Sequence, residues 1–462
     1  MGKTQGTIDT QPAPPADEPT AAASGAPRAG LFAREHRLRY ALTNELHARP
    51  FEMLEPPVRI SMYATMLAEG QDSGVHGHLK DLCDRHGVNP PTEDMNHFSA
   101  DFGPFRLRFE RHTEFATYTV LRHGRFDRPF AASAAQYLPK DWLADLPGEV
   151  LVATNLAVLP VDGEDPDVQT LSEMFVPESL VTSTLSGSAA RVWSDLRIHG
   201  DGHNRILLKP YDLPPAKAGR VVQRLLEIVA YRNLALLALP VARMVGPELT
   251  RIDRGLASLT SEMAQIVEQG NGDGTRRESE LLTQLMQISA EIERMNSGHS
   301  YRFSAARAYF ALVDARLDEL REERHEGYQT IREFLDRRLA PARRTCESVE
   351  LRMADLSRRA TRAANLLRTR VDFMLEKQNQ GLLSSMDRRA RLQLRLQQTV
   401  EGLSVAAITY YTVGLIGYGA KALSEMGVPV YPPYVIGAAV PLVALTVWFG
   451  LHRVRKRLDR DG

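Results

Sequence analysis

Cysteine is almost absent. Cys83 and Cys346 are the only two in 462 residues, which excludes a disulfide framework and a cysteine-based zinc site and suits a reducing compartment. Net charge is missing as well, since 57 Lys+Arg balance 57 Asp+Glu. A nucleic-acid coat or basic tail needs a surplus of one sign, so no nucleic-acid partner is expected. The chain also has no Walker-type phosphate loop, no nucleophile elbow and no His-Glu-x-x-His pair. Without these signatures the expectation is no enzyme activity and no cofactor. Residues 1–33 are rich in Pro, Ala, Thr and Gly and lack an apolar stretch. They read as a disordered lead and not a signal peptide, so the residues before any membrane span are expected in the cytoplasm.

What is present is concentrated near the C-terminus. Gly402 to Ala420 and Gly427 to Leu451 each contain no charged residue, and a membrane span needs about 20 mostly apolar residues. Lys421 to Met426 separates them as a short loop. Arg388, Arg389, Arg391 and Arg395 precede the first stretch, and Arg453, Arg455, Lys456 and Arg457 follow the second. These basic residues fit anchorage to anionic headgroups. The positive-inside rule puts both ends in the cytoplasm, so a two-span hairpin in a bacterial inner membrane is expected, with the bilayer as partner. A third apolar run, Leu225 to Ala242, is interrupted by Glu227, Arg232, Asn233 and Pro240 and reads as a buried soluble helix.

The middle has two textures. Between residues 34 and 240 short alternating stretches read as strands: Val58 to Leu67, Phe105 to Glu110, Glu114 to Arg122, Glu149 to Leu159, Leu180 to Leu185, Ala189 to Ile198 and Asn204 to Tyr211. Helices are expected over Val75 to His86 and from Pro214-Pro215 to Leu239. This mix predicts an α+β domain with a mostly antiparallel sheet. Residues 241–400 interleave charges with Leu and Ala and predict long helices over Pro247 to Gln269, Ser279 to Met295, Tyr301 to Leu339 and Ala342 to Gln398, with Gly298 and Pro341 as boundaries. If the last runs into the first span it is on the order of 120 Å long. That makes 241–400 a stalk whose apolar seam wants a partner helix, its own neighbour or another subunit. Residues 401–452 form the hairpin and 453–462 a basic tail.

Asn44 to Pro50 (NELHARP), Leu366 to Val371 (LLRTRV), Gln378 to Gln380 (QNQ) and Thr399 to Val405 (TVEGLSV) resemble an uncharacterised bacterial family of membrane-anchored proteins, domain-of-unknown-function family 3422. That resemblance covers nearly the whole chain and implies topology more than chemistry. The architecture also resembles CorA-type divalent-cation channels. Their first span closes on Tyr-Gly-Met-Asn, where this chain reads Tyr418-Gly419-Ala420-Lys421. The Tyr-Gly half is kept. A ring of Lys421 ammoniums at an outer mouth would repel divalent cations, so this resemblance implies fold and homo-oligomerisation more than magnesium transport.

Three groups of residues carry the candidate chemistry. Asn44, Glu45, His47, Arg49 and Pro50 form either a polar ligand-binding cluster or a helix C-terminus whose His47 and Arg49 suit the negative end of the dipole. Glu401, Ser404, Ile408, Tyr411, Leu415, Tyr418, Gly419 and Lys421 read either as a pore-lining stripe with its mouths or as headgroup-level residues whose hydroxyls bond their own helix. Gly414, Gly417, Gly437 and Ala438 suit close helix packing. His76, His78, His86 and His97 lack the i, i+4 pairing of a metal site. Two functional readings follow: a CorA-like homo-oligomeric channel or transporter of unknown ion, or a membrane-anchored cytoplasmic scaffold or sensor in which the hairpin is only an anchor.

Overall fold

A computed structural model describes residues 36–40, 42–43, 51–67, 72–93, 95–269, 274–427 and 429–458. In chain order the elements are β1 (Val58–Met66), α1 (Asp72–His86), β2 (His97–Asp101), β3 (Arg106–Arg111), β4 (Phe115–His123), α2 (Lys140–Ala144), β5 (Glu149–Val158), α3 (Val168–Met174), β6 (Val181–Leu185), β7 (Ala190–Ile198) and β8 (Asn204–Pro210). Then follow α4 (Pro215–Leu236), α5 (Ala238–Gln269), α6 (Gly274–Leu320), β9 (Glu323–Arg324), α7 (Ile331–Glu425) and α8 (Pro432–Leu458). The chain divides into two compact units, each discontinuous in sequence: residues 1–246 with 297–351, and 247–296 with 352–462.

The first unit is built on a nine-stranded sheet of order β2-β3-β4-β1-β5-β8-β7-β6-β9. Every named pairing is antiparallel except β5 with β8. The side-chain period of two separates the faces. Ile60, Met62 and Ala64 of β1 face α4 together with Val152, Leu156, Ile206 and Leu208, and Val313, Leu317 and Ile331 complete that core. On the opposite face Tyr63, Leu107, Phe109, Tyr118 and Val120 meet Leu79, Leu82 and Cys83 of α1. The run Leu225 to Ala242 is the end of α4 and the start of α5, divided at Leu237, with Leu225, Leu226, Ile228, Val229, Leu234 and Ala242 buried.

Several helix boundaries differ from the sequence expectation. Gly298 does not end a helix, because a single glycine costs only about 1 kcal/mol there and α6 runs through it to Leu320. Pro240 stands in the first turn of α5 and Pro247 inside it. Pro341 lies inside α7. The helix expected over Tyr301 to Leu339 is instead broken between Leu320 and Ile331. Arg321 at φ 48° and Gly327 at φ 84° turn the chain there, and β9 adds an edge to β6. A reciprocal capping box opens α7: the Glu333 amide donates to Thr330 Oγ1 at 3.0 Å, and Glu333 Oε2 accepts from the Thr330 amide at 3.2 Å.

The second unit packs Leu249, Ile252, Leu256 and Leu259 of α5 with Leu281, Leu285 and Ile292 of α6 and Met353, Leu356 and Leu367 of α7, all buried. Arg359 donates to Asp253 at 2.7 Å, and Arg277 pairs with Glu262. From residue 375 to 400 every side chain of α7 is exposed. After that stretch α7 meets α8. Gly417 lies against Ile436, whose Cδ1 would stand 3.1 Å from an added Cβ, and Ala420 and Val443 are buried. Small residues permit this close approach.

Candidate functional site

Two features carry functional potential, one in each unit. In the second unit the C-terminal helices leave their apolar side chains uncovered. Ile408, Tyr411, Leu415 and Tyr418 are exposed on α7, with Tyr418 at 77%. Gly419 and Lys421 are exposed as well. Ser404 is half-buried and its hydroxyl donates to the Val400 carbonyl at 2.8 Å, as Thr409 does to Val405 and Thr412 to Ile408, each at 2.7 Å. The hydroxyls along this stretch therefore bond their own helix. Glu401 belongs to α7, but its side chain lies outside the described residues. Arg388, Arg389, Arg391 and Arg395 are exposed, and Arg391 pairs with Asp387 at 2.7 Å. Arg453 is exposed, while the side chains of Arg455, Lys456 and Arg457 lie outside the described residues.

Among the described residues three helical stretches are long and apolar enough to cross a membrane by length and composition: Pro215–Ile266, Ile331–Glu425 and Pro432–Gly450. The apolar window of the first is 56% buried inside the protein, whereas the other two are almost wholly exposed. The physical difference is that α4 already has a sheet to cover it.

In the first unit the sheet face under α4 changes character at its edge. It is apolar at β1 and β5, then becomes charged. Arg106, Arg108 and Glu110 of β3 share that face by the period of two. The register sets Arg108 between Ser99 of β2 and Thr119 of β4, and Glu110 between His97 and Thr117. A cavity of about 280 Å³ opens here between the sheet and α4. Ile60, Met62, Leu121, Val222 and Leu226 form its apolar wall, and Arg108, Glu110, Thr117, Thr119, Glu52, Glu227 and Arg316 reach it. Arg108 is only 6% exposed. Its Nη2 donates to Glu110 at 2.6 Å, while Nε has no hydrogen-bond partner among the described residues. Glu52 accepts from Ser99 at 2.7 Å and pairs with Arg106 at 3.0 Å. Glu227 pairs with Arg316 and accepts from Gln223 at 2.8 Å.

The cleft owes its shape to one glycine. A Cβ on Gly219 of α4 would stand 1.7 Å from the Glu52 carbonyl oxygen. The extended segment that carries Glu52 therefore lies directly on the helix, tied by the Leu54 amide donating to the Pro215 carbonyl at 3.1 Å. No motif in the sequence marks this cleft. The alternation Arg-Leu-Arg-Phe-Glu-Arg at residues 106–111 looks like a strand with one solvated face, and only the α4 layer turns that face inward.

The remaining sequence candidates are the Asn44–Pro50 cluster and the histidines. Asn44, Glu45, His47, Arg49 and Pro50 lie outside the described residues. His78 stacks on Trp142 at 4.2 Å between ring centres, which lowers its pKa by burial, and His86 meets Phe102 and Phe105 edge-on. Among the described residues no three His, Cys, Asp or Glu side chains are placed to hold a metal ion.

Fold and features together define an α+β protein joined to helices apolar enough to enter a membrane. The chain belongs to the family described as protein of unknown function (DUF3422), whose model matches residues 34–458. No curated protein and no solved structure matches it.

Proposed function

We propose that this protein is a two-span bacterial inner-membrane protein that holds its α+β unit on the cytoplasmic face as a tethered sensor or scaffold. The observation that carries the reading is the contrast among the three apolar stretches. The apolar window at Pro215–Ile266 is 56% buried by its own protein, whereas α7 and α8 cover only a narrow strip of each other around Gly417, Ala420, Ile436 and Val443 and leave the rest of their apolar ends exposed. An uncovered apolar helix pair in water exposes a patch far larger than soluble proteins tolerate, and a bilayer removes that cost. Arginines at 388–395 precede the first apolar stretch and the basic residues at 453–457 follow the second, while the turn between carries only Lys421 and Glu425, a distribution that supports a cytoplasmic side for both ends. Self-association belongs to this reading. Leu375, Leu382, Met386, Leu396 and Val400 are exposed along α7, the first three at spacings of seven and four and the last two four apart, and copies held in one membrane present this stretch to each other at equal height.

A channel is the second reading. It is favoured by the outward-facing row of Ile408, Tyr411, Leu415 and Tyr418 and by the retained Tyr418-Gly419 pair, and opposed by Lys421. Replacing residues 401–452 with an unrelated two-span anchor separates the two. Preserved cellular phenotype with no ion flux from wild-type proteoliposomes supports the tethered sensor or scaffold. Lost phenotype together with cation flux that Lys421→Asn increases supports the channel.

A further inference from the structure

The cleft beneath α4 is the cavity whose walls say most about an occupant. Its charges alternate. Glu52, Glu110 and Glu227 contribute carboxylates and Arg108 and Arg316 guanidiniums, and Arg106 joins Glu52 from the adjoining groove. Each cation already has an anion beside it. A purely anionic or purely cationic guest would satisfy one sign and confront the other. A guest with both signs meets both. Arg108 adds a direction to this argument. A guanidinium has five N–H donors. This one is more than nine-tenths buried, Nη2 donates to Glu110, and Nε has no partner among the described residues and no surface open to the cavity, so a guest would meet the Nη groups. Buried donors are rarely left unmade, and the geometry of a guanidinium suits a carboxylate. Thr117 and Thr119 stand beside it on β4 in register with Glu110 and Arg108, and hydroxyls there are further donors. Beside these groups Ile60, Met62 and Leu121 of the sheet and Val222 and Leu226 of α4 give the cavity an apolar portion. The volume of about 280 Å³ lies just below the roughly 300–1,000 Å³ usual for small-molecule sites, which limits the guest to a small molecule.

We propose that the cleft between α4 and strands β1, β4 and β3 binds a small zwitterion with an apolar body, a free amino acid with an aliphatic or aromatic side chain. Its carboxylate meets Arg108 and Thr119, its ammonium meets the carboxylates that share the cavity, and its side chain lies on Met62 and Leu226. The site is complete within the first unit, so it stands whether or not the C-terminal helices cross a bilayer.

The test uses the full-length protein in detergent and isothermal titration with L-leucine, L-phenylalanine, 4-methylpentanoate and 3-methylbutylamine. The last two are leucine without its amine and without its carboxylate. Saturable binding of either amino acid with Kd below about 1 mM is expected, with each single-charge analogue weaker by about tenfold or more, because it forfeits the hydrogen bonds of the missing group and faces like charge without the compensating one. Thr119→Val should weaken amino-acid binding by roughly tenfold, and Val222→Phe, which fills the cavity with an apolar group, should abolish it. Both variants are scored only with a melting temperature close to wild type, and Arg108→Lys gives a third measurement that keeps the charge and loses the fork. No saturable binding of either amino acid overturns the proposal. So does equal binding of the amine or the carboxylate alone, or full binding by Val222→Phe.

Discussion

Two glycines in helices of the same unit should respond to alanine with opposite signs. Gly219 of α4 faces the Glu52 carbonyl, where an added Cβ would sit 1.7 Å from oxygen and 3.0 Å from carbon. Optimal separation of non-bonded heavy atoms is about 3.5 Å or more, so the segment carrying Glu52 and Leu54 must retreat by roughly 1.5–2 Å. That movement strains the Leu54–Pro215 hydrogen bond, worth about 1 kcal/mol, and disturbs Leu54, which is buried, at an overpacking cost of about 1–3 kcal/mol. Alanine returns about 1 kcal/mol of helix propensity. The net expectation for Gly219→Ala is a loss on the order of 2 kcal/mol. Gly298 of α6 is exposed and has nothing within 4 Å of a built Cβ, so Gly298→Ala should gain about 0.5–1 kcal/mol. At about 2 °C per kcal/mol for a domain of this size, thermal unfolding in detergent should place Gly219→Ala about 4 °C below wild type and Gly298→Ala about 1–2 °C above it. If both variants rise together, the close approach of the Glu52 segment to α4 is refuted, and with it the wall of the cleft.

Burial pushes the Glu322 carboxyl up to about 7, against the pull of the Arg332 amide that donates to it at 3.0 Å. The folded value lies above the unfolded one near 4.3, so this contribution is fully present below about pH 4.3 and is lost as pH rises through about 7. Glu322→Gln should therefore match wild type near pH 4.5 and exceed it at pH 8 by roughly 3–4 kcal/mol in urea unfolding; an equal difference at both pH values would falsify the assignment. Glu114 is buried and held by Arg302 through two hydrogen bonds, at 2.6 and 3.2 Å. Removing one partner of such a pair leaves a buried charge, so Arg302→Leu should lose about 3 kcal/mol, and adding Glu114→Gln should recover part of it; a single variant within 0.5 kcal/mol of wild type by the same assay contradicts the pairing. On the exposed stretch of α7, Leu382→Asp should leave the melting temperature unchanged while it lowers cross-linking between copies in membranes, and undiminished cross-linking would count against self-association there.

The strands of the first unit were readable because period-two alternation survives wherever one face meets a core. Val58 to Met66 and Glu149 to Val158 show this most clearly. β2 and β9 escaped notice for physical reasons. His97–Asp101 is short and polar at its ends, and Glu323–Arg324 is an edge of two residues whose pairing with β6 no local pattern encodes. The break after Leu320 was hidden because residues 321–330 are rich in charge that also suits helices, although the Thr330-x-x-Glu333 box marked the restart. Gly298 and Pro341 misled in the other direction, since each weakens a helix by an amount that packing on Phe303, Leu335 and Cys346, all buried, overrides. The cleft could not be read at all. Arg108 and Glu110 become a site only when α4 and the segment at Glu52 cover the face they occupy, and that is a tertiary event.

The most direct measurement of the central claim is the side of the membrane on which the turn between α7 and α8 lies. Cys83 and Cys346 are buried, so single cysteines placed at Ser424 and Ser384 can be labelled with a membrane-impermeant maleimide on a low background. In intact spheroplasts the account predicts labelling of Ser424→Cys, with Ser384→Cys labelled only after permeabilisation. Ser424→Cys that labels only after permeabilisation would contradict the hairpin and the anchored arrangement built on it.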